Sequence, residues 1–266
     1  MDQIDIGGVR IAYEQKGEGP PIVLLHGFAA DGREWRGQLS GLSNQFSVVA
    51  WDAPGSGGSA DPPDSWRMPD YADCLAQFIA SLALGRPHVV GLSWGGALAL
   101  ELYRRHPRIP RSLTLASAYA GWAGSLDPDA RDQRLRTSLE LAAQPIDQFV
   151  TALLPTMFSA TASAERILGF RTLMLEVHPA GFRTMAHAVA EADLRDVLPR
   201  ISVPTLLLYG DRDVRASLTV AEGLHAAIPN STLVVMPGVG HMSSVEVPDR
   251  FNAEVRKFLL GLSVVD

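Results

Sequence analysis

Two hydrophobic rhythms share this chain. Near its start, Ile4-Asp5-Ile6 and Val9-Arg10-Ile11-Ala12-Tyr13 flank Gly7-Gly8, and alternation on either side of that pair predicts a β-hairpin. After a Gly/Pro loop at Lys16–Pro21, the alternation gives way to short apolar runs at Ile22–Leu25, Phe46–Trp51, Pro87–Val90, Ser112–Ala116, Val203–Tyr209 and Thr232–Met236. Such runs suit strands buried on both faces of a parallel sheet. Between them, helical spacing covers Trp35–Leu42, Met68–Leu84, Gly96–Tyr103, Ser217–Ile228 and about Pro248–Leu260, with a short helix or turn at Asp193–Leu198. Strands alternating with helices predict an α/β fold: βαβ units, a mostly parallel central sheet and helices on both faces.

One stretch breaks the rhythm. Tyr119 to about Glu191 is rich in Ala, Leu and Arg, helical in pattern, and cut by Pro128, Pro145, Pro155 and Pro179. It reads as several short helices inserted after a core strand, forming a cap. The expected organisation is therefore a first core part over 1–118, a helical cap over 119–191, and a second core part over 192–266. Among the cap's apolar residues, Trp122, Met157 and Phe158 are candidates to line a pocket; others pack the cap onto the core.

Composition narrows the function without naming it. The chain has 266 residues, 47% of them hydrophobic and 20% charged, which is ordinary for a globular enzyme. A net charge of −6 argues against nucleic acid or an anionic membrane as partner. Cys74 is the sole cysteine, so an intramolecular disulfide is excluded, and it reads as a small core residue on a helix. No leader-like segment precedes the first strand and no apolar run reaches spanning length, so the expectation is a soluble cytoplasmic protein. No ligand-spaced His, Cys or carboxylate pair shares an element, and no Gly-x-Gly-x-x-Gly opens a helix after the first parallel strand. Neither metal nor cofactor is expected. Oligomeric state is not legible.

The chemistry centres on Gly91-Leu92-Ser93-Trp94-Gly95, placed between a β-run and an Ala/Leu-rich helix. This is the pattern of a nucleophile elbow, a tight strand-to-helix turn that raises its serine above the sheet. A serine hydroxyl needs a base within hydrogen-bond reach, and the base needs an orienting carboxylate. Asp213 and His241 follow in that order, each in a loop after a predicted strand, and are the candidate orienter and base. Asp211 is the competing acid; directly after Gly210, it reads as a turn-tightening residue. Donors for an oxyanion are expected from the N–H of Trp94 and the N–H of Phe28, after the Ile22–Leu25 strand. His26 reads as a structural hydrogen-bonder. The remaining histidines are assigned away from the chemistry: His88 at the wrong end of its strand, His106 and His225 on helices, His178 and His187 in the cap.

These motifs, together with Asp52-Ala53-Pro54-Gly55-Ser56-Gly57-Gly58-Ser59, resemble the α/β-hydrolase superfamily over nearly the whole chain apart from the cap. The resemblance implies Ser93, Asp213 and His241 as a triad and Phe28 and Trp94 as the oxyanion hole, with the Asp52 loop architectural. Size and the Asp193–Asp213 stretch are most similar to small esterases and 3-oxoadipate enol-lactonases. Carbon–carbon hydrolases of ring-cleavage products, cofactor-free haloperoxidases and, through Ser-Trp-Gly-Gly, proline iminopeptidases are also similar. For the last, the cap shows no clear acidic pair to hold a substrate amine, Glu165 and Glu176 being the candidates. Serine at the nucleophile position argues against the haloalkane dehalogenases and epoxide hydrolases of this fold, which use aspartate.

The leading expectation is a serine hydrolase cleaving a carboxylic ester or lactone under an apolar cap. Alternatives are a carbon–carbon hydrolase, with Arg166, Arg171 or Arg183 holding a substrate carboxylate, a perhydrolase on the same triad, or a binding protein of the same fold with a slow or dead triad.

Overall fold

The computed structural model describes residues 1–262. Its strands are β1 (Asp2–Ile6), β2 (Val9–Lys16), β3 (Pro21–Leu25), β4 (Ser47–Trp51), β5 (His88–Leu92), β6 (Ser112–Ala116), β7 (Thr205–Gly210) and β8 (Ser231–Met236). The helices are α1 (Arg36–Leu42), α2 (Met68–Ser81), α3 (Trp94–Arg105), α4 (Pro128–Ala142), α5 (Ile146–Leu153), α6 (Ala164–Met174), α7 (Pro179–Glu191), α8 (Leu218–Ala227), α9 (Ser243–Glu246) and α10 (Pro248–Leu262).

The strands form one sheet in the order β1-β2-β4-β3-β5-β6-β7-β8. β1 and β2 form the antiparallel hairpin, β2 pairs antiparallel with β4, and every pairing from β4 to β8 is parallel. The two rhythms of the sequence follow from this order. Every residue of β5, β6 and β7 is buried, because helices cover both faces of the sheet centre. β1 and β8, at the edges, keep exposed positions.

Two boundaries differ from the sequence reading for identifiable reasons. Apolar spacing extends α2 to Leu84, yet the helix ends at Ser81. Ala83 adopts φ 51° and the Leu84 N–H reaches back to the Ile79 carbonyl, a left-handed helix stop. Leu82 and Leu84 still pack on the core from the turn, so the periodicity outlasts the helix. Conversely, β5 runs two residues beyond Val90, through Gly91 and Leu92, which pair with Leu115 and Ala116 of β6. A glycine that reads as a strand end is here a ladder residue.

Between β6 and β7 lie α4 to α7. Their prolines start helices more than they interrupt them. Pro128 and Pro179 occupy the first turns of α4 and α7, Pro145 precedes α5, and Pro155 falls in a single 3₁₀ turn. The indole N–H of Trp94 on α3 donates to the Met185 carbonyl of α7 (3.2 Å), and the Trp122 N–H donates to the Val189 carbonyl (2.8 Å). These bonds seat α7 over the C-terminal ends of the central strands. Cys74 is buried on α2, where burial pushes its thiol up to about 12. No described helix is long and apolar enough to cross a membrane.

Candidate active site

Ser93 sits between β5 and α3 at φ 53° and ψ −109°, a conformation that costs a non-glycine residue about 1–3 kcal/mol. Its surroundings over-determine it. The Ser93 N–H donates to the Ala116 carbonyl of β6 (2.8 Å), and its own carbonyl accepts from the N–H groups of Gly96 (3.0 Å) and Ala97 (3.2 Å). The flanking glycines are sterically required. A Cβ on Gly91 would lie 2.2 Å from the Gly95 oxygen, and one on Gly95 would lie 2.1 Å from the Leu25 oxygen of β3. Strand, serine and helix thus meet closer than any side chain allows.

Asp213 and His241, from the loops after β7 and β8, meet as a buried pair: His241 Nδ1 lies 2.8 Å from Asp213 Oδ2. Asp213 Oδ1 accepts from the backbone N–H groups of Arg215 (2.8 Å) and Ala216 (2.9 Å). Burial opposes the Asp213 carboxylate, but His241 and these two amides outweigh it and hold the group below its usual range. His241 is also held below its usual value, by burial first, with the nearby Arg215 and Arg134 charges acting in the same direction against the pull of Asp213. The imidazole is therefore neutral near pH 7, the form that accepts a proton. Asp211 is engaged elsewhere, accepting from the Gly238 N–H (2.7 Å) and tightening the turn as its position after Gly210 suggests.

The loop after β3 begins His26-Gly27-Phe28-Ala29. Gly27 N–H is claimed by both carboxylate oxygens of the buried Glu34 (3.2 Å each). Phe28 comes next and is followed by Ala29 at φ 64°. Trp94 is the first residue of α3, where a backbone N–H has no acceptor within its own helix. His26 is structural: its Nε2 accepts from the Ala53 N–H (2.9 Å), which leaves Nδ1 to donate to the Gly27 carbonyl (2.8 Å). The Asp52 carboxylate bridges the Gly32 (2.7 Å) and Gly58 (2.8 Å) N–H groups and so ties two loops together.

A tight cavity opens against Ser93. Phe28, Trp94 and Trp122 form part of its wall, with Tyr119, Val189 and two arginines, Arg134 and Arg215. The Phe28 ring stacks on Phe182 of α7 at 4.0 Å and meets Trp122 edge-on at 6.2 Å. Met157 and Phe158 are not brought to this wall. The Met157 carbonyl accepts from the Met242 N–H (2.9 Å), and the Phe158 ring packs edge-on against Phe170 at 5.6 Å. Chain direction explains this: the 157–159 segment is tied to the His241 loop by Glu246, whose carboxylate accepts from the N–H groups of Ser159 and Gly240 (3.1 Å each). Glu246 and Glu34 carry no motif, and their positioning of the two loops had no signal in the sequence.

The other histidines lie away from Ser93. His88, at the opposite end of β5, bonds Ser112; His106 pairs with Asp73, His178 with Asp61, His187 with Glu191, and His225 with Ser231. Arg166, Arg171 and Arg183 are exposed. Among the described residues, no group of three His, Cys, Asp or Glu side chains is placed to hold a metal ion.

A family model for the alpha/beta hydrolase fold matches residues 20–248. The chain belongs to this α/β-hydrolase family. Among curated relatives, it is 29% identical over 251 residues to a pimeloyl-[acyl-carrier protein] methyl ester esterase of Nitrosomonas europaea, covering 91% of this chain and 96% of that protein. Among solved structures, a thermophilic esterase from Thermogutta terrifontis with malate bound superposes with a TM-score of 0.91 at 29% identity, over 98% of this chain and 99% of that one. An enol-lactonase from Burkholderia xenovorans LB400 gives 0.89 at 25% identity, over 97% of this chain and 100% of that one. This α/β hydrolase is thus related to esterases and a lactonase along almost its full length.

Proposed function

We propose that this α/β hydrolase cleaves a small carboxylic ester or lactone through an acyl-enzyme on Ser93. The observation that carries the reading is the buried Asp213–His241 pair, with the imidazole kept neutral, in a fold whose β5–α3 turn holds Ser93 at φ 53°. Strain is retained where a surrounding structure has a use for it, and here it lifts a hydroxyl above the ends of the parallel strands.

In this mechanism His241 Nε2 takes the Ser93 Oγ proton as Oγ attacks the substrate carbonyl carbon. The Phe28 and Trp94 N–H groups hold the oxyanion. The tetrahedral intermediate collapses, the ester C–O bond breaks, and His241 returns its proton to the departing alkoxide. A water molecule then repeats the sequence on the acyl-enzyme, and its oxygen leaves in the carboxylic acid. Asp213 keeps the Nδ1–H tautomer and stabilises the imidazolium. With a lactone the released hydroxyl stays on the acid product. The helices between β6 and β7 act as a cap, shielding these steps from bulk water and shaping the acyl site.

The test is a p-nitrophenyl ester series, acetate through dodecanoate, with the protein and its Ser93→Ala variant. Hydrolysis lost in the variant supports the reading, and the chain-length optimum measures the acyl site. Turnover unchanged in a folded Ser93→Ala protein would sink it. Saturable binding without turnover would point instead to a binding protein on the same fold.

A further inference from the structure

The cavity against Ser93 carries two positive charges that the chemistry above does not use. Arg134 comes from α4 and Arg215 from the loop after β7, and both contribute to its wall. Among the described residues neither guanidinium forms an ion pair with a carboxylate. Asp213 is close in sequence to Arg215, but its oxygens are taken by His241 and by the Arg215 and Ala216 backbone amides.

What holds the two arginines is neutral. Arg134 donates to the Tyr119 hydroxyl (2.9 Å) and the Arg215 carbonyl (3.1 Å), and it lies 5.3 Å from the centres of both the Tyr119 and Trp122 rings. Arg215 donates to the Thr156 hydroxyl (3.0 Å). A guanidinium carries five N–H donors. Among the described residues, Arg134 therefore has three without a protein acceptor, and Arg215 four. Burial first, and the neighbouring Arg134 charge second, lower Arg215 to about 10, against the opposing pull of Tyr119 and Asp213. Rings, hydroxyls and a carbonyl orient this pair but do not neutralise it. Both arginines are half-buried, and a charge drawn partly out of water is ordinarily paired.

The geometry points to the missing partner being the substrate: Arg134 and Arg215 bind a carboxylate at the far end of the acyl group attacked by Ser93. The substrate class is then the monoester of a short dicarboxylic acid, or a lactone bearing a free carboxylate. This assignment rests on Ser93 being the nucleophile. Two forked donors suit a planar carboxylate, which accepts at both oxygens. The cavity is tight, so an occupant displaces a guanidinium from its present neutral contacts and replaces them with charge-assisted ones.

The test compares two methyl esters matched in length, methyl pentanoate and monomethyl glutarate, in which a terminal methyl becomes a carboxylate. Hydrolysis is followed by acid release at constant pH. Charge-assisted hydrogen bonds lead us to expect kcat/KM for monomethyl glutarate to exceed that for methyl pentanoate by about tenfold or more. The ratio should collapse toward one in Arg134→Gln and Arg215→Gln and partly survive in Arg134→Lys. Should the glutamine variants not fold, the wild-type ratio and its decline with added salt decide alone. Labelling of Ser93 by a neutral fluorophosphonate separates the two layers. If Ser93 labels and methyl pentanoate is the better substrate, the carboxylate site is wrong and the serine-hydrolase reading stands. If Ser93 does not label and neither ester is cleaved, the nucleophile reading fails and takes the substrate assignment with it. An equal ratio in wild type and both glutamine variants would also overturn the site.

Discussion

Arg134 donates a hydrogen bond to the backbone carbonyl of Arg215, 3.1 Å away, so two guanidinium groups share one wall of the cavity at Ser93. Arg215 is two residues past Asp213, and its own N–H helps fix that carboxylate. One short loop therefore orients the His241 partner with its backbone and charges the cavity with a side chain.

That charge has a consequence for pH dependence. Both arginines disfavour the imidazolium of His241, adding to the larger effect of burial. The acid limb of kcat/KM for a neutral ester should thus fall below the ordinary histidine value of about 6.5. Arg134→Gln removes a repelling positive charge, so the limb should move to higher pH. The same depression has a stability sign. The folded state binds fewer protons at His241 than the unfolded chain does, so the contribution is present above the unfolded value and lost as pH falls below it. A pH–rate profile of the two proteins checks the first statement, and urea midpoints across the same range check the second.

Ser93→Gly should separate function from stability. Glycine adopts φ 53° without the Cβ penalty, so the variant should be more stable by about 1 kcal/mol while losing ester turnover by several orders of magnitude. Urea unfolding read beside the p-nitrophenyl assay measures both. A variant less stable than the parent would mean that the hydroxyl contributes more than the backbone strain costs.

Asp213 and Asp211 provide an internal control. Asp213→Asn removes the partner of His241 Nδ1 and should lower kcat by about 10⁴, the scale for loss of the correct tautomer. Asp211→Asn touches the Gly238 turn and an exposed ion pair with Arg212, away from His241, and should leave kcat within a few-fold. Equal losses in the two variants would mean the carboxylate roles have been assigned wrongly.

Two glycine-to-alanine changes should differ in sign. Gly95→Ala places a Cβ 2.1 Å from the Leu25 oxygen and 2.8 Å from the His26 oxygen, so the β5–α3 turn cannot close and soluble folded protein should be lost. Gly169→Ala, within α6 and with nothing inside 4 Å, should stabilise by about 0.5–1 kcal/mol through helix propensity alone. Thermal melts of both proteins decide.

Much of this architecture was legible because it is written in local pattern. Unbroken apolar runs report strands of the parallel sheet, and six of them correspond to β3 through β8, although the last, Thr232–Met236, forms the edge strand β8 and keeps exposed positions rather than being covered on both faces. Glycines at 91 and 95 report a contact between backbones, which a single sequence can display because nothing larger fits. Where α2 stops was not legible, since Leu82 and Leu84 satisfy the same apolar face from a turn. Met157 and Phe158 show the limit more sharply. Their composition suits a pocket, but the place of the segment is set by contacts distant in sequence: the Met157 carbonyl accepts from the Met242 N–H, and Glu246 accepts from the Ser159 and Gly240 N–H groups.

The sequence by itself determined the α/β-hydrolase fold and the chain order of a serine, an aspartate and a histidine, because elbow, turn and strand chemistry are local. Only the tertiary structure decided that Asp213 rather than Asp211 meets His241. It also brought Arg134 and Arg215, 81 residues apart in sequence, to the wall beside Ser93. Charge without a nearby partner is invisible in a sequence. It becomes visible when folding brings two like charges to one half-buried wall, where less water surrounds them than in the open chain.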